Sequence, residues 1–406
     1  MNSGAIIKNK DIIIVGQQPW DVEIGSNCKN IAIELSKHNR VLYVNSPLDR
    51  ITLLKYKDTP NVKKRLEVIK GKVNGLIHLQ ENLWNYYPDG IIESVNWIKN
   101  NTIYTFLNKL NNKRFASSIK KAIKQLGFKD YVLFNDNDMF RSFYLKELLK
   151  PAVSIYYSRD FMLAVDYWKL HGTAMEPELI AKSDLCVANS TYLANYCKQY
   201  NPNSFYVGQG CDLDTFTGYD QIKPVPKDIL HIPKPVIGYV GALQSIRLDM
   251  DILRHIARQR PQWNIVLVGP EDGEFQKSDL HKIPNVHFLG AKSPDMLPAY
   301  INAFDVCLNP QIVNQVTIGN YPRKIDEYLA MGKPTVATKT EAMSTFADHV
   351  YLGDTKEDYV RLIDQALAED SPAKQAERVR FAGTHTWENN VAEIYAAIKK
   401  VLPTYV

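Results

Sequence analysis

Residues 320–338 hold the densest run of side chains able to do chemistry: Asn-Tyr-Pro-Arg-Lys-Ile-Asp-Glu-Tyr-Leu-Ala-Met-Gly-Lys-Pro-Thr-Val-Ala-Thr. Pro322 suits the first turn of a helix whose interior is Lys324 to Met331. Gly332 caps its end, and Pro334 stops continuation. Ile325, Tyr328 and Leu329 make the buried face, and Glu327 falls beside it. A carboxylate placed there near a cleft accepts two hydrogen bonds from a vicinal diol, such as a ribose. The same Glu paired with Arg323, four residues earlier, is an ordinary helical ion pair. Two Asp-x-Asp strings, Asp136-Asn137-Asp138 and Asp212-Leu213-Asp214, have a spacing that serves a divalent metal. The string is short and common, and no metal is expected. The five cysteines are an odd number, widely spaced, with no Cys-x-x-Cys. Reduced, mostly buried thiols are expected, as in a cytosolic protein.

The elements that must position these groups are legible as short apolar runs, each followed by a helical pattern. Ile12–Val15, Val41–Val44, Tyr131–Phe134, Val153–Tyr156 and Leu185–Ala188 come first. Unbroken runs of this kind read as strands buried on both faces, and the helices between them make a parallel sheet. Seven Gly and Pro residues between Gly208 and Pro235 interrupt the rhythm and read as a linker. It restarts at Val236–Val240, Ile265–Val268, Val286–Leu289, Val306–Leu308 and Thr335–Ala337. Two α/β halves, each doubly wound, are expected to bind ligands outside the carboxyl ends of their strands. The chain has 406 residues, 45% hydrophobic and 23% charged, which excludes a wholly disordered protein. No signal-peptide core and no run of about 18 apolar residues occurs. A cytoplasmic protein is therefore expected, lying if anywhere on the inner face of the membrane.

The helix at 320–338 resembles the nucleotide-sugar-binding helix of GT-B glycosyltransferases, glycosyltransferase family four above all. Other pieces match in order. Ala181–Ser190 is similar to the last N-domain strand, and Gly210–Phe216 to the G-x-D-x-x-x-F interdomain turn. Gly238–Leu243 resembles the first C-domain strand with its glycine turn, and Val268-Gly269-Pro270 the end of the second. Phe304–Pro310 resembles the strand before the donor loop, and Trp387-Glu388 the start of the closing helix. The likeness is strong over residues 180–400 and thin before them; its nearest branch is the bacterial exopolysaccharide and teichuronic-type enzymes. It implies two Rossmann-like, doubly wound parallel-sheet domains facing across a cleft. The implied layout is an acceptor-side domain at 1–208, a linker at 209–235, a donor domain at 236–385, and a helix at 386–406 packing back on the N-domain. Two departures stand out. The family places a second Glu eight positions before Glu327, where this chain has Gly319. It also often carries paired glycines after the first strand, where this chain keeps only Gly25, with Ser26 as the helix cap.

The resemblance implies sugar transfer from a UDP- or GDP-linked donor to a glycan or lipid-linked acceptor in cell-surface polysaccharide synthesis, with no metal and no resident cofactor. Gly241, just after a strand, lets backbone amides approach phosphate. Arg247 and Lys324 are the candidate cations for the diphosphate, with a plain surface arginine as the alternative for Arg247, and Pro270 is the candidate lining of the base pocket. Asp160, at the end of an N-domain strand, is the candidate general base, with pairing to Arg159 as the plain alternative. Asp166, His171 and Glu176 follow as possible lining of an acceptor site. Two rival readings are a nucleotide-sugar epimerase of the same fold and a catalytically silent partner subunit; Gly319 motivates the second.

Charge is uneven along the chain. Residues 51–130 carry fifteen Lys or Arg against six Asp or Glu, a surplus of +9 where the whole chain has +5. Aromatic and aliphatic residues interleave with them, which suits an anionic membrane surface. No nucleic-acid-binding motif accompanies them, and no nucleic-acid partner is expected.

Overall fold

The computed structural model describes residues 6–22, 26–211, 213–216 and 224–405. Gly25 and Asp212, which the sequence singled out, lie outside these residues, as do residues 217–223 of the expected linker. The chain forms two compact units. One comprises Met1–Gln209 with Trp387–Val406, the other Gly210–Thr386.

The strands of the first unit are β1 (Asp11–Val15), β2 (Arg40–Val44), β3 (Leu48–Asp49), β4 (Leu76–Gln80), β5 (Leu83–Tyr86), β6 (Ile91–Ile92), β7 (Val132–Asp136), β8 (Val153–Ser158), β9 (Leu185–Ala188) and β10 (Ser204–Tyr206). Eight of them make one sheet in the order β10-β9-β8-β7-β1-β2-β5-β4. All pairs in it are parallel except β4 with β5. β3 and β6 form a separate small pair. β1 is buried throughout, because helices cover both faces. Ser26 caps the helix Asn27–Ser36 by accepting from Lys29 N, as its type and place predict. The last helix, Trp387–Val401, belongs to this unit: Val391, Ile394, Tyr395 and Ile398 join the core beside Ile31 and Val187.

The second unit has β11 (Val236–Val240), β12 (Asn264–Val268), β13 (Val286–Gly290), β14 (Val306–Asn309), β15 (Thr335–Thr338) and β16 (Tyr351–Gly353). Their order is β13-β12-β11-β14-β15-β16, all parallel. Renumbered within the unit this is 3-2-1-4-5-6, the Rossmann order. Gly238 in β11 is there for packing: a Cβ on it would sit 2.1 Å from the Phe304 ring. The stretch read as a linker is not a free tether. Cys211, Leu213, Phe216, Ile229 and Ile232 are buried in this unit's core. Gly and Pro there mark irregular backbone, while the apolar residues between them supply the anchoring.

In both sheets the strand order reverses once, between β1 and β7 and between β11 and β14. Ligands bind outside the carboxyl ends of strands at such switch points. Both candidate sites lie there.

Candidate functional site

In the second unit a pocket of about 410 Å³ opens at the ends of β11 and β14. Tyr239, Val240, Gly241 and Arg247 line it from one side, and Asn309, Gln311 and Thr317 from another. Arg323, Lys324 and Glu327 face it from the helix Arg323–Ala330. That helix is set by a fully buried face of Ile325, Tyr328 and Leu329, with the Tyr328 hydroxyl accepting from Val240 N at 2.9 Å. Gly241 has φ +140, and a Cβ on it would come 3.0 Å from Lys324 Nζ. With hydrogen there instead, Lys324 reaches across, donates to Tyr239 Oη at 2.5 Å and lies over the same ring.

Arg247 is placed by its backbone. Its carbonyl accepts from Ile312 N at 2.9 Å, and the neighbouring Ile246 carbonyl accepts from Asn314 Nδ2 at 2.9 Å. Ser245 is tied by N and Oγ to Asp272 Oδ2. The loops after three strands are thus stitched into one wall. Arg323 was read from sequence only as a surface partner for Glu327. In the structure it shares the pocket, and its buried Nε has no hydrogen-bond partner among the described residues. Burial pushes the Glu327 carboxyl above its ordinary range, against the pull of Arg323 and Lys324. The pocket therefore presents three cations and one carboxylate, the pattern that suits a dianion next to a diol.

Next to Glu327, Asp326 is fully buried. It accepts from Cys211 Sγ at 3.1 Å and meets His385 Nδ1 at 2.5 Å, while Cys211 N donates to the His385 carbonyl at 2.9 Å. The two ends of the unit's chain are thereby fastened to the helix that carries Lys324 and Glu327. No local pattern announces a link between residues so far apart in sequence.

In the first unit the ends of β7 and β8 bring Asp136, Arg159 and Asp160 together. Arg159 Nε donates to Asp136 Oδ1 and its Nη1 to Asp160 Oδ2, each at 2.7 Å. Asn137, at φ +54, accepts from both Arg159 N and Asp160 N and so orients the pair. Burial draws the Arg159 pKa down, but the carboxylates of Asp136 and Asp160 outweigh it and the net shift is upward. The Asp-x-Asp string at 136–138 is committed to arginines: Asp138 accepts from Arg141 Nε at 2.8 Å.

Of the residues singled out in sequence, Gly241, Arg247, Lys324 and Glu327 converge on the pocket of the second unit. Pro270 is not among its lining residues; it follows β12, exposed, and its carbonyl accepts from Leu243 N at 2.8 Å. Asp160 sits in the first unit, its side chain 45% exposed. His171 and Glu176 are packed in the interior of the first unit. His171 stacks on Tyr104 at 3.5 Å, and buried Glu176 accepts from Tyr156 and Tyr196. Asp166 does line one, a cavity of about 660 Å³ in the first unit.

Two doubly wound parallel α/β units, the second in Rossmann order with an anion-suited pocket at its switch point, define the GT-B fold of glycosyltransferases. Within it, residues 234–369 match the family described as Glycosyl transferases group 1. A protein of Bacillus subtilis (strain 168), provisionally named the teichuronic acid biosynthesis glycosyltransferase TuaH, is 28% identical over 174 residues. That match covers 41% of this chain and 44% of the relative, so the chain spans less than half of that relative's length. Among solved structures, the sucrose-phosphate synthase of Thermosynechococcus elongatus has a TM-score of 0.64 at 15% identity, over 97% of this chain and all of that one. Anabaena Alr3699/HepE in complex with UDP has 0.62 at 15% identity over 97% of this chain and all of that one. The α,α-trehalose 6-phosphate synthase of Burkholderia multivorans has 0.67 at 10% identity, over 98% of each chain. These likenesses carry the fold.

Proposed function

We propose that the protein is a glycosyltransferase that moves a sugar from a nucleoside-diphosphate donor to a glycan or lipid-linked acceptor in cell-surface polysaccharide synthesis. The observation that carries this reading is the pocket that combines Arg247, Arg323 and Lys324 with Glu327 at the β11/β14 switch point. The cations take the charge that builds on the leaving diphosphate, so this chemistry calls on no metal and no resident cofactor. Glu327 accepts from the ribose hydroxyls. UDP is the first nucleotide to try, since the HepE relative is solved with UDP and with UDP-glucose. The first unit supplies the acceptor side, where Asp160 removes the proton from the attacking hydroxyl. The bond from the anomeric carbon to the diphosphate oxygen breaks as the bond to the acceptor oxygen forms.

Stabilisation against heat by UDP or GDP is the direct test. No shift with any nucleoside diphosphate, at concentrations far above ordinary dissociation constants, rejects the reading and favours a silent subunit. Glu327→Ala is expected to weaken nucleotide binding by about 1–3 kcal/mol, the cost of unpaired polar groups in a buried site. Calorimetric titration reads it, and unchanged affinity removes the ribose role. Asp160→Asn is expected to lower turnover by about 10²–10⁴-fold with nucleotide affinity intact; full turnover in a donor-consumption assay dismisses it as the base.

The basic stretch supports placement on an anionic membrane surface. Among the described residues no helix is long and apolar enough to cross a bilayer. Along the helix Asn101–Leu126, Ile103 and Phe106 are exposed in line with Lys109 and Lys113. Leu54 is also exposed, between Lys55 and Arg50. The chain should sediment with anionic vesicles at low salt and be released at high salt. Binding that is absent or indifferent to salt leaves the stretch as plain surface.

A further inference from the structure

The helix Arg323–Ala330 carries a carboxylate on its buried side as well as one on its pocket side. Asp326 is fully buried, while Glu327, the next residue, lines the pocket of the second unit. Successive helical residues point about 100° apart, so the two carboxylates meet different surroundings.

Both oxygens of Asp326 are engaged. Oδ1 meets His385 Nδ1 at 2.5 Å, and Oδ2 accepts from Cys211 Sγ at 3.1 Å. Burial, with Asp326 beside it, pushes the Cys211 thiol up, so the thiol keeps the proton it donates. The same His385 Nδ1 lies 3.1 Å from the hydroxyl of Tyr321, which lines the pocket just ahead of the helix. Phe381 and Phe346 stand edge-on to the imidazole, with ring centroids at 4.7 and 5.6 Å, and hold its plane. One imidazole thus stands behind two parts of the pocket wall.

The pocket residues of the helix depend unequally on how the helix is turned. Lys324 is pinned at its far end, by Tyr239 Oη at 2.5 Å. Among the described residues none donates a hydrogen bond to the Glu327 carboxylate; Arg323, Lys324 and Asp326 act on it through charge alone. Its place is therefore set by the helix that carries it. Side chains reach about 5–6 Å from a helix axis, so a turn of about 10° moves a carboxylate by about 1 Å. A misplacement of about 1 Å in a positioned group costs on the order of 10²-fold.

We propose that Asp326 and His385 are positioning residues of the nucleotide pocket, fixing the angle at which Glu327 presents its carboxylate. An apolar side chain at 326 would satisfy burial without the penalty of a buried charge, as Ile325, Tyr328 and Leu329 do on the same helix. A carboxylate instead gives the helix a directional anchor, held from two sides by residues near the two ends of the unit. The inference rests on the transferase reading above and supplies the support that its ribose contact needs.

The test is calorimetric titration of the full chain with UDP and with GDP, beside thermal unfolding of each variant without nucleotide. Asp326→Asn should weaken nucleotide binding about tenfold. In a Glu327→Ala background the same change should cost less than about threefold, because the group it positions is gone. His385→Phe keeps the aromatic packing and loses the donor, and binding should fall about tenfold. His385→Gln keeps an N–H for Asp326 and should stay within about threefold of the native chain. Losses that add in the Asp326/Glu327 cycle overturn the proposal, and the cycle decides even where His385→Phe does not fold. A lowered melting temperature with unchanged affinity in Asp326→Asn also overturns it, since that marks a stabilising contact alone. So does a His385→Gln chain as weak as His385→Phe. Absence of UDP and GDP binding in the native chain rejects the transferase reading and this inference together, whereas native binding with indifferent variants rejects the inference alone.

Discussion

Lys324→Ala should weaken binding of UDP, or whichever nucleoside diphosphate the chain stabilises with, by about 10- to 150-fold. That is the worth of a charged hydrogen bond of about 1.5–3 kcal/mol, at about tenfold per 1.4 kcal/mol. Two contacts make Lys324 the most consequential cation of the pocket. Its Nζ is held at 2.5 Å from Tyr239 Oη and over the same ring, so little ordering is left for binding to supply. With glycine at 241 no Cβ crowds the ammonium, which it would meet at 3.0 Å, so a phosphate would have room there. Lys324→Arg should not restore affinity, because a planar guanidinium needs room that Tyr239 and the 241 backbone occupy. Arg247 is exposed and, among the described residues, tethered through its backbone alone, so its replacement should cost less. Isothermal titration across the three variants checks the order; equal losses at Arg247 and Lys324 contradict it.

Asp136→Ala is expected to destabilise the first unit by about 3–5 kcal/mol, the usual consequence of stranding one partner of a buried ion pair. Asp136 is fully buried, accepts from Arg159 Nε at 2.7 Å and from Gln17 N at 3.2 Å, and adjoins buried Cys28. Without it the Arg159 guanidinium keeps Asp160, which is far more exposed, and a long bond to Gln17 Oε1 at 3.4 Å. The double variant Asp136→Leu/Arg159→Leu should recover much of the loss, since removing both charges removes the stranded one. Urea unfolding measures both variants. A single variant as stable as the native chain would show that the pair contributes nothing net. Asp160 also loses its orientation in Asp136→Ala, so turnover should fall further than stability alone explains.

The strands and the pocket helix could be read from the chain because each depends on residues close in sequence. Unbroken runs such as Ile265–Val268 specify buried parallel strands, and Pro322, Ile325, Tyr328, Leu329 and Gly332 bound and face a helix within one short window. Gly241, Arg247, Lys324 and Glu327 were recognisable because the resemblance supplied the order of strands that brings them together. Arg323 carries no such signal, since a basic residue four before a Glu has a cheap surface explanation. The buried Asp326–His385–Cys211 contact, with partners 59 and 115 residues apart, has no local signature.

Sequence by itself determined the number of α/β units, the period of their elements and the place of the glycines. Those properties are written in neighbour-to-neighbour patterns: burial on two faces, turn chemistry, helix caps. Tertiary structure alone decided that residues read as a linker carry core side chains, that His171 and Glu176 are interior, that Asp136 holds Arg159, and that Trp97, Tyr167 and Asp166 share a cavity. Each of these depends on which strand ends lie side by side, and pairing between strands is set by long-range packing that no short window of the chain contains.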